Sequence, residues 1–166
     1  MAYTNKTYVA FDADNDIRYY RLMQAWKRGG ASFNFYDAHD LTNLLKFSSE
    51  LTIKVSLQER LRNTKVFILL VGDKTKYLHK FVRWEIEQAI KRDIPIIVVN
   101  LNGKRYKDSL LCPAILNGVL AVHVSFNQKI IVKAMLEWPE LHRSYKRQGE
   151  STDYKYNQAV YTSLGL

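Results

Sequence analysis

The sequence predicts an α/β fold of the flavodoxin-like, doubly wound type: a five-stranded parallel sheet in the order 2-1-3-4-5, with helices on both faces. Three observations predict it. Val66–Val71 (VFILLV) and residues 94–101 (IPIIVVNL) are apolar without alternation, as strands are when both of their faces are covered. Between such runs lie segments whose apolar residues recur at helical spacing, so strands and helices alternate along the chain. The 166 residues are 47% apolar with only 7 Gly and 3 Pro, enough to bury one core and too ordered in composition for disorder or low complexity.

Residues 6–12 (KTYVAFD) are β-branched and aromatic up to a cluster of acids, which makes them the first strand. From Asp14 to Arg28 apolar residues recur at Ile17, Tyr20 and Met23, beside Tyr19, Leu22 and Trp26, until Gly29-Gly30 stops the first helix. A short second strand is expected at 32–36, followed by a polar stretch over 37–49 long enough to be a functional loop. A second helix carries Ile53, Leu57 and Leu61 at fourfold spacing. Val66–Val71 is the central strand, ended by Gly72-Asp73. The third helix is expected over 76–92, with Val82, Ile86, Ala89 and Ile90 inward. Residues 94–101 and 121–126 supply strands four and five, with an irregular connection over 102–118. A last helix presents Ile131, Ala134, Met135 and Trp138 and is expected to close at Pro139. Residues 1–148 then form one domain, and 149–166 a Tyr-rich tail that is docked or partner-binding.

Composition narrows the function classes. Against 16 Asp and Glu stand 25 Lys and Arg, a formal charge of +9, which favours polyanionic partners without choosing among them. The basic residues form no dense tract and no zinc-finger or RRM signature, so nucleic acid is not the expected partner. One cysteine, Cys112, cannot form an intrachain disulfide, and no Cys/His spacing suggests a metal. With apolar runs far short of about 20 residues and no apolar leader, a cytoplasmic protein without a membrane contact is expected.

In an open parallel sheet, ligands bind beyond the carboxyl ends of the strands near the switch point. That rim brings together Phe11, Asp12 and Asp14 after the first strand, Asp37, His39 and Asp40 after the second, Asp73 after the third, and the start of the third helix. Two glutamates in that helix differ in their neighbours. Glu87 has Arg83 four residues before and Lys91 four after, the pattern of a solvated ion pair. Glu85 has Phe81 and Val82 before it and Gln88 and Ala89 after it. It is a carboxylate at the border of the buried face with no cation on its stripe, as a functional or capped acid would be. Asp12 and Asp14 are equally suited to capping the first helix and to binding a ligand.

The stretch Val71-Gly72-Asp73-Lys74-Thr75, followed by Phe81-Val82-Arg83-Trp84-Glu85-Ile86, resembles the "VGxxT…WVxxEI" segment of TIR-like domains, especially the bacterial family that includes the TIR proteins of Thoeris anti-phage systems. The opening KTYVAFDADND is similar to the TIR first strand, and FYDAHD to the segment leading into the loop after the second. The resemblance covers roughly residues 6–134. It places Glu85 on the family's catalytic glutamate, with Phe81 where many members have a tryptophan and the tryptophan displaced to Trp84.

That resemblance implies cleavage of NAD⁺, as substrate, at the nicotinamide–ribose bond, with an ADP-ribose derivative, cyclic in the expected case, as a second messenger. Glu85 would stabilise the ribosyl cation. Phe11, Phe81 and Trp84 would supply aromatic contacts, and Asp12, Asp37 and His39 would contact the nucleotide, with no metal required. It also implies a homo-oligomer on activation, a phage-derived trigger and a downstream effector that senses the product. Two other classes fit the same residues: a non-catalytic TIR-like adaptor acting by self-association, and a phosphoacceptor receiver using Asp12, Asp14 and Asp73 with Mg²⁺.

Overall fold

The computed structural model describes residues 6–29, 35 and 47–166. Its elements, in order, are β1 (Thr7–Ala10), α1 (Ile17–Arg28), α2 (Glu50–Arg62), β2 (Val66–Val71), α3 (Val82–Lys91), β3 (Ile96–Asn100), β4 (Ala121–Ser125), α4 (Gln128–Arg147), β5 (Asp153–Lys155) and α5 (Gln158–Ser163). The five described strands form one parallel sheet in the order β1-β2-β3-β4-β5. The first four are the expected strands one, three, four and five in their expected order. The expected second strand lies outside the described residues. β5 is an addition: it comes from the Tyr-rich segment and extends the sheet past β4, pairing Ala121 with Asp153 and His123 with Lys155.

The unalternating strands are covered on both sides. Successive residues of β2 point to opposite faces, so Val66, Ile68 and Leu70 enter one core, and Phe67, Leu69 and Val71 the other. Tyr20 and Met23 of α1 and Ile131, Met135 and Trp138 of α4 close the first face. Ile53, Leu57 and Leu61 of α2 and Val82, Ile86 and Ala89 of α3 close the second. All six residues of β2 are at most 1% exposed, which leaves only their carboxyl ends to meet solvent chemistry.

Three boundaries differ from the sequence reading. α1 starts at Ile17, and neither Asp12 nor Asp14 caps it; Asp16 occupies the cap position without a side-chain cap bond. α3 starts at Val82, because residues 72–81 are drawn into a turn: Thr75 Oγ1 accepts the Gly72 N–H at 2.9 Å, and a single 3₁₀ turn spans Thr75–Tyr77. The last helix does not close at Pro139 but runs through it to Arg147. Proline costs roughly 3 kcal/mol inside a helix. Packing on both sides of it offsets that cost: Trp138 is fully buried, and His142, 3% exposed, meets Asp93 at 3.1 Å.

The C-terminal residues complete this packing. Tyr154 stacks on Trp138 at 5.4 Å between ring centroids, and Tyr156 and Tyr161 are buried in the α1/α4 core. Burial of such rings stabilises by roughly 1.5–3 kcal/mol each. Removal of residues 150–166 is therefore expected to lower unfolding stability by more than about 3 kcal/mol and to alter the Trp138 fluorescence, measured by denaturant titration. An unchanged midpoint would show that the segment contributes nothing to the core.

Candidate functional site

A cleft of about 270 Å³ opens where the carboxyl end of β1 faces the connection from β2 to α3. One wall is Phe11 and Asp12 with the backbone on either side of them. The other runs from Tyr77 to Val82, and Glu85 lies at its floor. Phe81, Val82 and Glu85 share a stripe of α3 because residues four apart stack on one face. Trp84, one residue from Glu85, is turned about 100° around the helix; it packs on the α2 side with Lys54 Nζ 5.6 Å above its ring. Trp84 is therefore not part of the cleft wall, a correction to the expected aromatic contact.

Phe11 is 7% exposed and lines the cleft while its ring stacks on Tyr20 at 4.5 Å, so its position is fixed by the core beneath. Asp12 is also buried, but its oxygens fold the loop. Oδ1 accepts the N–H groups of Asp14 and Asn15 at 3.1 and 3.3 Å, and Oδ2 accepts the Asn15 side-chain amide at 2.7 Å. Its role here is to hold the rim that presents Phe11. Asp16 is buried over Gly72, where an added Cβ would lie 2.4 Å from Asp16 Oδ2; the glycine permits this close approach. Burial, with Asp12 and Asp73 nearby, raises the Asp16 pKa. Among the described residues no group of acids, histidines or cysteines has the geometry of a metal site. Asp37 and His39 lie outside the described residues.

The sequence reading missed four residues of this wall: Tyr77, Leu78, His79 and Lys80. Their signal lay in the polar, non-periodic start of the segment assigned to the third helix, which is in fact a loop. His79 and Lys80 are exposed at the mouth, and Lys80 Nζ stands 5.2 Å over the Phe81 ring. Glu87 behaves as its spacing predicts, pairing with Arg83 Nε at 3.1 Å on the solvent side.

Glu85 is 8% exposed in the first turn of α3. The helix start favours a carboxylate there, but burial dominates and pushes the Glu85 pKa up from 4.5 to about 7. The opposing influence is the Tyr8 hydroxyl, which favours the ionised acid. Tyr8 is fully buried on β1, stacked on Phe67 at 5.6 Å, and its hydroxyl lacks a partner with full hydrogen-bond geometry. The cleft thus holds an acid divided between its neutral and ionised forms near neutrality, with a phenol beneath it.

Between pH 4.5 and 7 the folded chain retains the Glu85 proton that the unfolded chain has released. Stability therefore falls as pH rises through that window, by about 3 kcal/mol, and is flat above it with respect to this group. Glu85→Gln removes the penalty: its stability relative to the parent is expected to grow from pH 4.5 to pH 8 by up to about 3 kcal/mol, read as a pH-dependent difference in denaturation midpoint. Tyr8→Phe is expected to raise the Glu85 midpoint above that of the parent in a ¹³C carboxyl titration. A midpoint unchanged or lowered would remove Tyr8 from the electrostatics of the cleft.

Residues 8–106 match the family described as Thoeris protein ThsB, TIR-like domain. The matched segment runs from β1 through the loop after β3 and contains both walls of the cleft and Glu85. With the match covering more than half of the sequence, and with a parallel sheet that carries helices on both faces, this chain belongs to the TIR-like domain family of the Thoeris anti-phage defence protein ThsB.

Proposed function

We propose that the protein is an NAD⁺-consuming TIR enzyme that cleaves the nicotinamide–ribose bond and forms an ADP-ribose-derived, cyclic signalling nucleotide in anti-phage immunity. The observation that carries this reading is a buried carboxyl, Glu85, at the floor of an aromatic-walled cleft on the carboxyl rim of a TIR-like fold. The positive charge of the nicotinamide ring favours the ionised form of Glu85, so binding of substrate draws the acid towards the state that chemistry requires.

In the reaction, the bond between ribose C1′ and the nicotinamide nitrogen breaks, and its electron pair neutralises the pyridinium ring. Positive charge then develops on the ribose. Ionised Glu85 stabilises that charge and accepts hydrogen bonds from the ribose hydroxyls. Phe11 and Phe81 enclose the planar rings and limit water access. Lys80, exposed at the mouth, meets the diphosphate, and the overall charge of +9 favours approach of the anionic dinucleotide. An internal nucleophile of the adenosine moiety closes the ring, or water completes hydrolysis; the attacking group loses its proton to solvent or to the neighbouring carboxylate. Assembly of several copies on a phage-derived trigger, and an effector that reads the product, complete the proposed pathway. Asp37 and His39 remain proposed nucleotide contacts.

Purified parent and Glu85→Gln protein, incubated with NAD⁺ and a phage lysate as the source of trigger, test the reading by mass spectrometry. Nicotinamide release is expected from the parent, reduced at least about a hundredfold in the variant, with the parent rate rising as pH passes through about 7. Equal turnover by the two proteins takes Glu85 out of the mechanism; no release from either favours the adaptor that acts by self-association.

A further inference from the structure

A second cavity of about 530 Å³ lies on the same carboxyl rim at the opposite side of the sheet. Its walls are residues 103–106 after β3 and residues 155–161, which form the end of β5 and the start of α5. Lys104, Arg105 and Lys155 face it together with Tyr106, Asn157 and Gln158, and no carboxylate belongs to its lining. We propose that this cavity is a binding site for a nucleoside diphosphate, with the phosphates on Arg105 and Lys155 and the base against Tyr106, separate from the Glu85 cleft.

The site is built in advance on both sides. Asn100, 1% exposed at the end of β3, donates from Nδ2 to the carbonyls of Lys104 and Tyr106 at 3.0 and 2.8 Å. Gly103 turns the chain at φ 84, a conformation that a side chain would strain. Asp108, 3% exposed, accepts Lys104 Nζ at 2.9 Å, the Asn102 side-chain amide, and the N–H groups of Leu110 and Leu111. On the far wall Asn157 Oδ1 accepts the Val160 N–H. Arg105 spans the gap: its guanidinium lies 4.2 Å over the Tyr161 ring and donates to Gln158 Oε1 at 3.2 Å.

The charge balance selects the ligand class. Asp108 offsets the charge of Lys104, but among the described residues Arg105 and Lys155 have no carboxylate within ion-pair distance. Two uncompensated cations beside a fixed lysine match a diphosphate, which guanidinium and ammonium donors bind through charge-assisted hydrogen bonds. Tyr106, 50% exposed with Lys104 Nζ 5.8 Å over its ring, is the most exposed ring of the lining and the one a base would pack against. The volume is that of a small-molecule site rather than a groove for a folded partner.

Amide chemical-shift mapping on the full chain distinguishes this site from the Glu85 cleft. Titration with ADP at low salt is expected to move signals of Gly103, Tyr106, Asn157 and Gln158, with pyrophosphate weaker and adenosine weakest. Lys155→Glu, at an exposed position, is expected to weaken ADP at these signals tenfold or more. Arg105→Gln provides a second removal of charge, and Glu85→Gln leaves the response intact. Perturbations confined to the surroundings of Phe11, Lys80 and Glu85, no response to ADP, equal affinity for ADP and pyrophosphate, or an undiminished response in both charge variants would each overturn the assignment. None of those outcomes bears on whether Glu85 supports NAD⁺ cleavage.

Discussion

Two-sided burial of β2 and β3 governs the rest of the molecule. A strand with both faces covered must be joined to its parallel neighbours by crossovers, and these deliver every carboxyl end to the same rim. Val66–Val71 leaves no polar group on either face of the central strand. Chemistry is thereby confined to what the loops carry over that rim. The cleft at Glu85 and the basic cavity at Arg105 lie on this one edge because the loops that build them follow β1, β2, β3 and β5.

The crossover helices and the central strands were legible because their apolar spacing is set by burial. Val82, Ile86 and Ala89 face the core as their periodicity requires, and Glu85 falls at the edge of that face. Glu87 was separable from it by the cations four residues on either side. Less could be read where a side chain's role depends on a distant partner. Pro139 looked like a helix end because contacts that help carry the helix past it, of Trp138 with Tyr154 and of His142 with Asp93, come from distant parts of the chain. β5 was invisible for a similar reason: DYK has no apolar pattern and becomes a strand only by pairing with Ala121, Val122 and His123.

The site shows the same division. Phe11, Asp12, Phe81 and Glu85 could be placed on the rim from topology, whereas Tyr77, Leu78, His79 and Lys80 could not, since a turn held by Thr75 replaces the helical start expected there. Trp84 erred in the opposite direction. The resemblance put the family's tryptophan at Trp84, but one residue from Glu85 along a helix is a different face. Tyr8 was absent from the candidates because a tyrosine inside an apolar strand reads as core, which it is; its hydroxyl acquires meaning only beneath the buried acid.

The placement of Glu85 resolves two opposing demands on a carboxylate of this kind. Deeper in the helix it would lie among Ile86 and Ala89, without a helix start to favour its ionised form and without access to a ligand. On the exposed face beside Glu87 it would be permanently charged and screened by water, and therefore weak as an electrostatic partner. In the first turn, at the floor of an apolar cleft, burial raises its pKa to about 7 while the helix start and Tyr8 oppose complete neutralisation. A cationic ligand such as the proposed substrate would shift the proton equilibrium by its own charge, which would make binding and ionisation of the acid one event. Of the residues that line the cleft, Lys80 stands exposed at its mouth, and Arg105 lines the other cavity. A cation placed beside Glu85 would hold it ionised in the empty cleft and remove that coupling.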